Sequence, residues 1–122
     1  MALLFNTLSL ALAAALGWLY LYGVEHSFLW IYPWFDTLLH FLGGLVMGLW
    51  ACAVGVRFSL ALRPAFFWIS AAAFVGGIAW EVFEYVLQIQ GGAIDTLSDI
   101  SFGIAGAYAA FLLYAPLARH RV

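Results

Sequence analysis

The sequence has no lysine, and its only side chains with a permanent positive charge belong to four arginines. Charged residues make up 8% of the chain, whereas an average soluble domain has about 25%. With a net charge of −2 and no polybasic run, the chain has no feature of a nucleic-acid-binding protein. Cys52 is the single cysteine, which excludes an intrachain disulfide. There is also no glycine-rich phosphate loop, no Cys-x2-Cys pair and no suitably spaced serine–histidine–aspartate set.

Long apolar segments dominate the sequence instead. Hydrophobic residues make up 67% of the 122 residues, more than a soluble domain of this size can bury. Four segments reach the roughly 20 apolar residues that a spanning helix needs: 3–24, 36–56, 65–88 and 96–115. We expect the first to be a retained helix and not a signal peptide, because residues 1–12 lack basic side chains. The prediction is an all-α integral membrane protein with one four-helix domain, residues 1–122.

The positions of the arginines predict an orientation. They flank the second connection and follow the fourth span, at Arg57, Arg63, Arg119 and Arg121, whereas the first and third connections have none. By the positive-inside rule, both termini and the second connection should be cytoplasmic. We therefore expect a multi-pass protein of the cell inner (plasma) membrane, with its acidic connections facing outward.

An internal repeat pairs the acidic positions of the two halves. Motif residues coincide when the chain is shifted by 59 positions: Glu25 with Glu84, Asp36-Thr37-Leu38 with Asp95-Thr96-Leu97, His40 with Asp99, and Gly44 with Gly103. Chance matching in an apolar chain is the alternative. We predict two helical hairpins, residues 1–59 and 60–118, related by a pseudo-twofold axis along the membrane normal.

Seven residues near the outer ends of the spans form a candidate metal site. They are six acids and one histidine: Glu25, Asp36, His40, Glu81, Glu84, Asp95 and Asp99. Each acid inside a span costs roughly 2.5–3.5 kcal/mol on insertion scales, and acids that face one another also repel. A bound divalent cation would remove both penalties.

Simpler roles are open for some of these residues. Asp36 and Asp95 sit where a helix N-cap is expected. Glu25 and the neighbouring His26 could be solvated loop residues, and His40 could be a core histidine. The three acids inside the third and fourth spans have no comparable alternative, so we keep the metal site as the prediction.

The ligand set restricts the metal without identifying it. Carboxylates with one or two imidazoles suit hard or borderline divalent ions, namely Mn²⁺, Fe²⁺, Mg²⁺, Ca²⁺ and Zn²⁺. The two-hairpin symmetry would also suit two ions. The spacing of the ligands is not a signature of any one metal.

Three motifs carry a resemblance to a known family. They are Phe35-Asp36-Thr37-Leu38-Leu39-His40-Phe41, Trp80-Glu81-Val82-Phe83-Glu84-Tyr85 and Asp95-Thr96-Leu97-Ser98-Asp99. In this order they resemble the Asp-x3-His, Glu-x2-Glu and Asp-x3-Asp motifs of the YjdF-like predicted inner-membrane proteins, and more distantly the VanZ-like proteins. The resemblance covers about residues 33–115, and the chain looks shorter at its N-terminus than those proteins. It implies the same site residues and no particular reaction.

Three functions are compatible with these features. The first is a metal-dependent enzyme at the outer leaflet that acts on a lipid or lipid-linked substrate, with Glu81 as general base. The second is a cation- or proton-coupled transporter or channel. Against it, the acids are confined to one side of the membrane. The third is an accessory subunit of a larger membrane complex, or a homo-oligomer, in which the polar residues are structural.

Reporter fusions test the predicted orientation. Fusions at Phe58 and at Val122 should report the cytoplasm, and a fusion at Gly92 should report the outside, because the arginines remain on the cytoplasmic side. A cytoplasmic signal at Gly92 would overturn both the orientation and the outer location of the acids.

Overall fold

A computed structural model describes residues 1–89 and 91–119, and no strand occurs within them. The helices, in chain order, are α1 (Ala2–Glu25), α2 (Phe28–Ile31), α3 (Pro33–Arg57), α4 (Leu62–Leu87) and α5 (Ala93–Arg119). The four long helices are each long and apolar enough to cross a membrane. The predicted all-α architecture with four spans is therefore confirmed. Arg121, one of the arginines used to predict the orientation, lies outside the described residues.

Two prolines mark where the helix ends differ from the predicted spans. α3 starts at Pro33, three residues earlier than predicted. Proline is tolerated in the first turn of a helix, because the N–H group that it lacks would have no hydrogen-bond partner within the helix there. α5 continues through Pro116 to Arg119, four residues past the predicted end of the fourth span at residue 115. Pro116 lies in the last turn and removes a single hydrogen bond, a loss that spanning helices tolerate.

α3 and α5 form the closest helix pair and run in the same direction. A Cβ atom on Gly44 would lie 1.8 Å from the backbone oxygen of Gly103, and one on Gly106 would lie 1.9 Å from that of Phe41. Only glycine permits backbones to approach this closely, as at other small-residue contacts between spanning helices. The buried core follows this contact, and it includes the fully buried Cys52.

α1 and α4 both pack beside this pair, with a gap between them. α1 packs against α3, and the Ser9 hydroxyl donates a hydrogen bond to the Val46 oxygen at 3.0 Å. α4 packs against both α3 and α5, whereas the backbone of α1 does not approach that of α4 or α5. A groove therefore separates α1 from α4.

The packing has features in common with the predicted repeat. Positions 59 residues apart face each other across the α3–α5 contact, since Gly44 meets Gly103 and Gly48 meets Ala107. A twofold axis along the membrane normal would bring equivalent positions together in this way. The outer helices are less symmetric, because α4 contacts α3 whereas α1 does not approach α5. The two-hairpin repeat thus stays a prediction.

Replacing Gly106 by alanine should lower the thermal stability of the protein in detergent. The new side chain would collide with a backbone oxygen that cannot rotate away, and overpacking typically costs about 1–3 kcal/mol. Gly43→Ala is the matched control, because its Cβ would meet only a Leu16 side-chain atom at 3.9 Å. It should be neutral or stabilising by up to about 1 kcal/mol through helix propensity. Equal melting temperatures for the two variants would contradict the described packing.

Candidate functional site

Five of the predicted site residues lie in one layer near the acidic ends of the helices. At 1.5 Å per residue, His40 lies about 10 Å below the start of α3, and Asp99 lies about 9 Å below the start of α5. Glu81 lies about 9 Å below the end of α4, with Glu84 one turn closer to that end. Asp36 completes the set, one turn above His40. These five residues are called the acid–histidine cluster below.

His40 occupies the centre of the acid–histidine cluster and is buried. Its Nε2 atom lies 3.8 Å from Asp36 Oδ1 and 3.7 Å from Asp99 Oδ2. Both distances exceed the roughly 2.7–3.2 Å of a hydrogen bond, and among the described residues Nε2 has no hydrogen-bond partner. A buried polar atom without a partner costs about 1–3 kcal/mol. The geometry therefore favours a further atom bound between the three side chains.

A second group of ligand atoms shares the same histidine. One ligand atom from each of His40, Glu81 and Glu84 lies within 4.8 Å of the other two, and the same holds for Asp36, His40 and Asp99. Glu81 Oε1 is also buried and has no hydrogen-bond partner among the described residues. Both unpartnered buried atoms of the described side chains thus belong to the acid–histidine cluster.

The spacing within the acid–histidine cluster fits metal coordination. Two bonds of about 2.1 Å, usual for nitrogen and oxygen on zinc, can span up to about 4.2 Å. The separations of His40 Nε2 from Asp36 and Asp99, 3.8 and 3.7 Å, fall within this limit. Because both groups include His40 and one imidazole nitrogen binds one metal ion, the geometry suits a single central ion, whereas two adjacent ions would need bridging carboxylates.

Basic side chains are far from the acid–histidine cluster in the described part of the chain. Arg57 lies 17 positions after His40 on α3, about 25 Å along the helix. Arg63 lies 18 positions before Glu81 on α4, about 27 Å away. Since the chain also has no lysine, the four carboxylates need a bound cation or protons to compensate their charge.

Two further predicted ligands do not join the acid–histidine cluster. Glu25 at the end of α1 and Asp95 in the first turn of α5 are both exposed, and neither belongs to the two ligand groups. Their role as ligands stays a prediction that this geometry does not favour. The N-cap interpretation of Asp36 and Asp95 was wrong, because α3 begins at Pro33 and α5 at Ala93, which places both acids inside the first turn.

The sequence did not identify two residues that orient the glutamates. The Trp80 indole donates a hydrogen bond to Glu84 Oε1 at 2.9 Å, and the Thr96 hydroxyl donates one to Glu81 Oε2 at 2.6 Å. Hydrogen bonds of this kind fix the direction of metal ligands and of catalytic carboxylates. Trp80 could have been found from its i, i+4 spacing to Glu84. Thr96 bonds to a different helix, so nothing local indicated its role.

An apolar cavity of about 370 Å³ adjoins the acid–histidine cluster. It occupies the groove between α1 and α4, and glycine or alanine supplies eight of its sixteen lining residues. His40 and Asp99 line the cavity at the level of the cluster, and Met47 and Ala73 line it deeper in the membrane. The small residues leave the space open, so the cluster is accessible from the side of the bundle.

The chain matches the family model described as "Predicted membrane protein (DUF2238)" over residues 1–120. The chain belongs to this family. The match is consistent with the resemblance to the YjdF-like membrane proteins and extends beyond the residues 33–115 that carried it. No curated protein and no solved structure matches the chain with significant similarity. Membership of the family establishes a membrane protein and leaves its activity to be inferred from the site.

Replacing Thr96 by valine should destabilise the protein, because it removes the only described donor to Glu81 Oε2. A lost hydrogen bond to a charged group costs about 1.5–3 kcal/mol. Thr37→Val is the matched control, since Thr37 occupies the equivalent motif position and donates no described hydrogen bond to a glutamate. Thermal unfolding in detergent measures both variants. A Thr96 variant as stable as the Thr37 variant would contradict the contact with Glu81.

Proposed function

We propose that the acid–histidine cluster binds a divalent metal ion, and that the protein is a metal-dependent membrane enzyme acting on a lipid or lipid-linked substrate. The main support is that two overlapping groups of ligand atoms share His40, whose buried Nε2 has no described partner. Buried carboxylates without a compensating charge are costly. A divalent ion would supply that charge and, as a Lewis acid, would polarise a phosphoryl or carbonyl oxygen.

The side chains divide into ligands and a base in this proposal. Asp36, His40 and Asp99 hold the ion, and Glu84 completes its coordination with one oxygen oriented by the Trp80 indole. Glu81 is the general base, because Thr96 holds its Oε2 atom while Oε1 is free to accept a proton from a bound water. With an imidazole at the centre, Mn²⁺, Fe²⁺ and Zn²⁺ fit better than Mg²⁺ or Ca²⁺.

Ion transport has less support from the packing. Outside the acid–histidine cluster, the buried polar groups of the described residues are few, and backbone oxygens occupy them: the Ser9 hydroxyl donates to Val46, the Cys52 thiol to Ala110 and the Tyr114 hydroxyl to Leu60. Ions crossing a bundle usually pass polar or ionisable side chains. The cavity beside the cluster is lined mainly by glycine, alanine and aliphatic residues. These features support a site reached from one side, as an enzyme requires.

The proposed site faces the outer leaflet of the inner membrane. Arg57 and Arg63 lie at the ends of α3 and α4 that are remote from the acid–histidine cluster. The positive-inside rule assigns this end, with both chain termini, to the cytoplasm. The metal would then bind about 10 Å below the outer ends of the helices, within reach of lipid head groups.

Elemental analysis of protein purified without chelators should find stoichiometric divalent metal. Glu84→Gln should lower metal affinity by more than the roughly 10–100-fold that loss of an outer-shell partner costs. It should also lower the melting temperature, because bound metal stabilises the folded state. Glu25→Gln is the control: it changes an exposed glutamate in the same way and should alter neither quantity.

The direction in which Glu84→Gln changes the stability distinguishes a metal-bound cluster from a metal-free one. If no ion is bound, removing one of four crowded carboxylates relieves repulsion and should leave the protein equally stable or more stable. A purified protein without metal, together with a Glu84→Gln variant as stable as the parent, would favour protonated acids. The transport reading would then replace the enzyme proposal.

A further inference from the structure

We propose that the groove between α1 and α4 binds the hydrocarbon chain of a lipid whose phosphate head group lies at His40 and Asp99. This inference rests on the proposed metal site, because it assigns the substrate class of that site. It adds a chain-binding surface, a direction of entry from the bilayer, and the residues that keep the groove open.

The cavity has the size and depth that a single chain requires. Its volume of about 370 Å³ falls in the range of about 300–1,000 Å³ found for small-molecule sites. From His40 to Met47 it follows α3 for seven positions, about 10 Å along the helix. Met47 thus lies about 21 Å from the start of α3, past the middle of a hydrocarbon layer about 30 Å thick.

The groove is open toward the surrounding lipid. Gly17 on α1 and Trp80 on α4 both line it and are both exposed, while the backbones of these helices do not approach each other. Tyr20 and Trp80 meet edge to face with ring centroids 5.6 Å apart and bridge the two helices near the outer end. A chain can therefore enter sideways below this aromatic contact without leaving the hydrocarbon.

The polarity of the lining indicates an amphipathic occupant. His40 and Asp99 are the members of the acid–histidine cluster that line the groove, and both are buried. Below them the wall consists mainly of glycine, alanine and aliphatic side chains. A ligand complementary to both parts has an apolar chain and a head group that binds metal, and phosphate oxygens are common partners of carboxylate-held divalent ions.

Photolabelling in nanodiscs tests this assignment. The probe is an alkyl phosphate with a diazirine at mid-chain, compared with the alkyl alcohol of equal length, and labelled positions are mapped by peptide mass spectrometry. In the parent protein, the phosphate probe should label the groove around Gly17 and Met47 more strongly than the alcohol does. Metal content is measured on the same samples.

Gly17→Leu should block the groove without disturbing the fold. A Cβ at Gly17 has no atom within 4 Å, so the leucine side chain can occupy the cavity. Labelling of the groove should fall about tenfold or more. A single methylene group in an apolar pocket already changes the preference for one ligand over another by about 10–200-fold. Ala14→Leu is the matched control, because Ala14 is exposed on the same helix and does not line the groove. Both variants should keep the metal content of the parent.

The outcomes distinguish the groove from the metal site. Label spread evenly over all lipid-facing surfaces, or groove labelling that Gly17→Leu leaves unchanged, overturns the chain-binding site even if metal is present. Groove labelling that is equal for the phosphate and the alcohol overturns the assignment of the head group. A parent protein without metal contradicts the proposed function, and groove labelling lost in Gly17→Leu still supports a chain-binding site.

Discussion

The rest of this structure depends on one constraint: three buried carboxylates and one partly buried carboxylate surround a single imidazole. The acid–histidine cluster lies within spanning helices and about 25 Å or more from Arg57 and Arg63. Hydrogen bonds from Trp80 and Thr96 satisfy one oxygen of each glutamate, but they do not supply charge. A cation between the side chains would remove the repulsion and occupy the unpartnered Nε2 of His40. A membrane protein of this size would gain both a stable core and a reactive centre from the same ion.

The glycine contact between α3 and α5 determines the dimensions of that centre. Gly44 and Gly103 allow the two backbones to touch one turn below His40 and Asp99, so these two side chains come within 3.7 Å of each other. A side chain at Gly44 would collide with the Gly103 backbone, and it would separate the helices and the two ligand atoms with them. The site geometry is therefore a consequence of backbone packing as much as of the ligands themselves.

Local patterns in the sequence predicted much of this arrangement. The apolar runs predicted the four spans, and helical spacing predicted that Asp36 lies beside His40. Each of these two predictions depends on the sequence of a single helix. The chain could not show that Asp95 stays exposed one turn above the buried Asp99, since that depends on where the neighbouring helix ends. It also could not distinguish Gly44, where a Cβ would collide with the Gly103 backbone, from Gly43, where a Cβ has room. Adjacent residues point about 100° apart on a helix, and only the tertiary packing decides which one faces the partner.

Anomalous diffraction from crystals grown with Mn²⁺ would test the central claim most directly. If the acid–histidine cluster binds metal, the anomalous map should show a peak about 2.0–2.3 Å from His40 Nε2, with carboxylate oxygens of Asp36 and Asp99 in the same coordination sphere. A structure without anomalous signal, in which water or direct hydrogen bonds join His40 to the carboxylates, would contradict it.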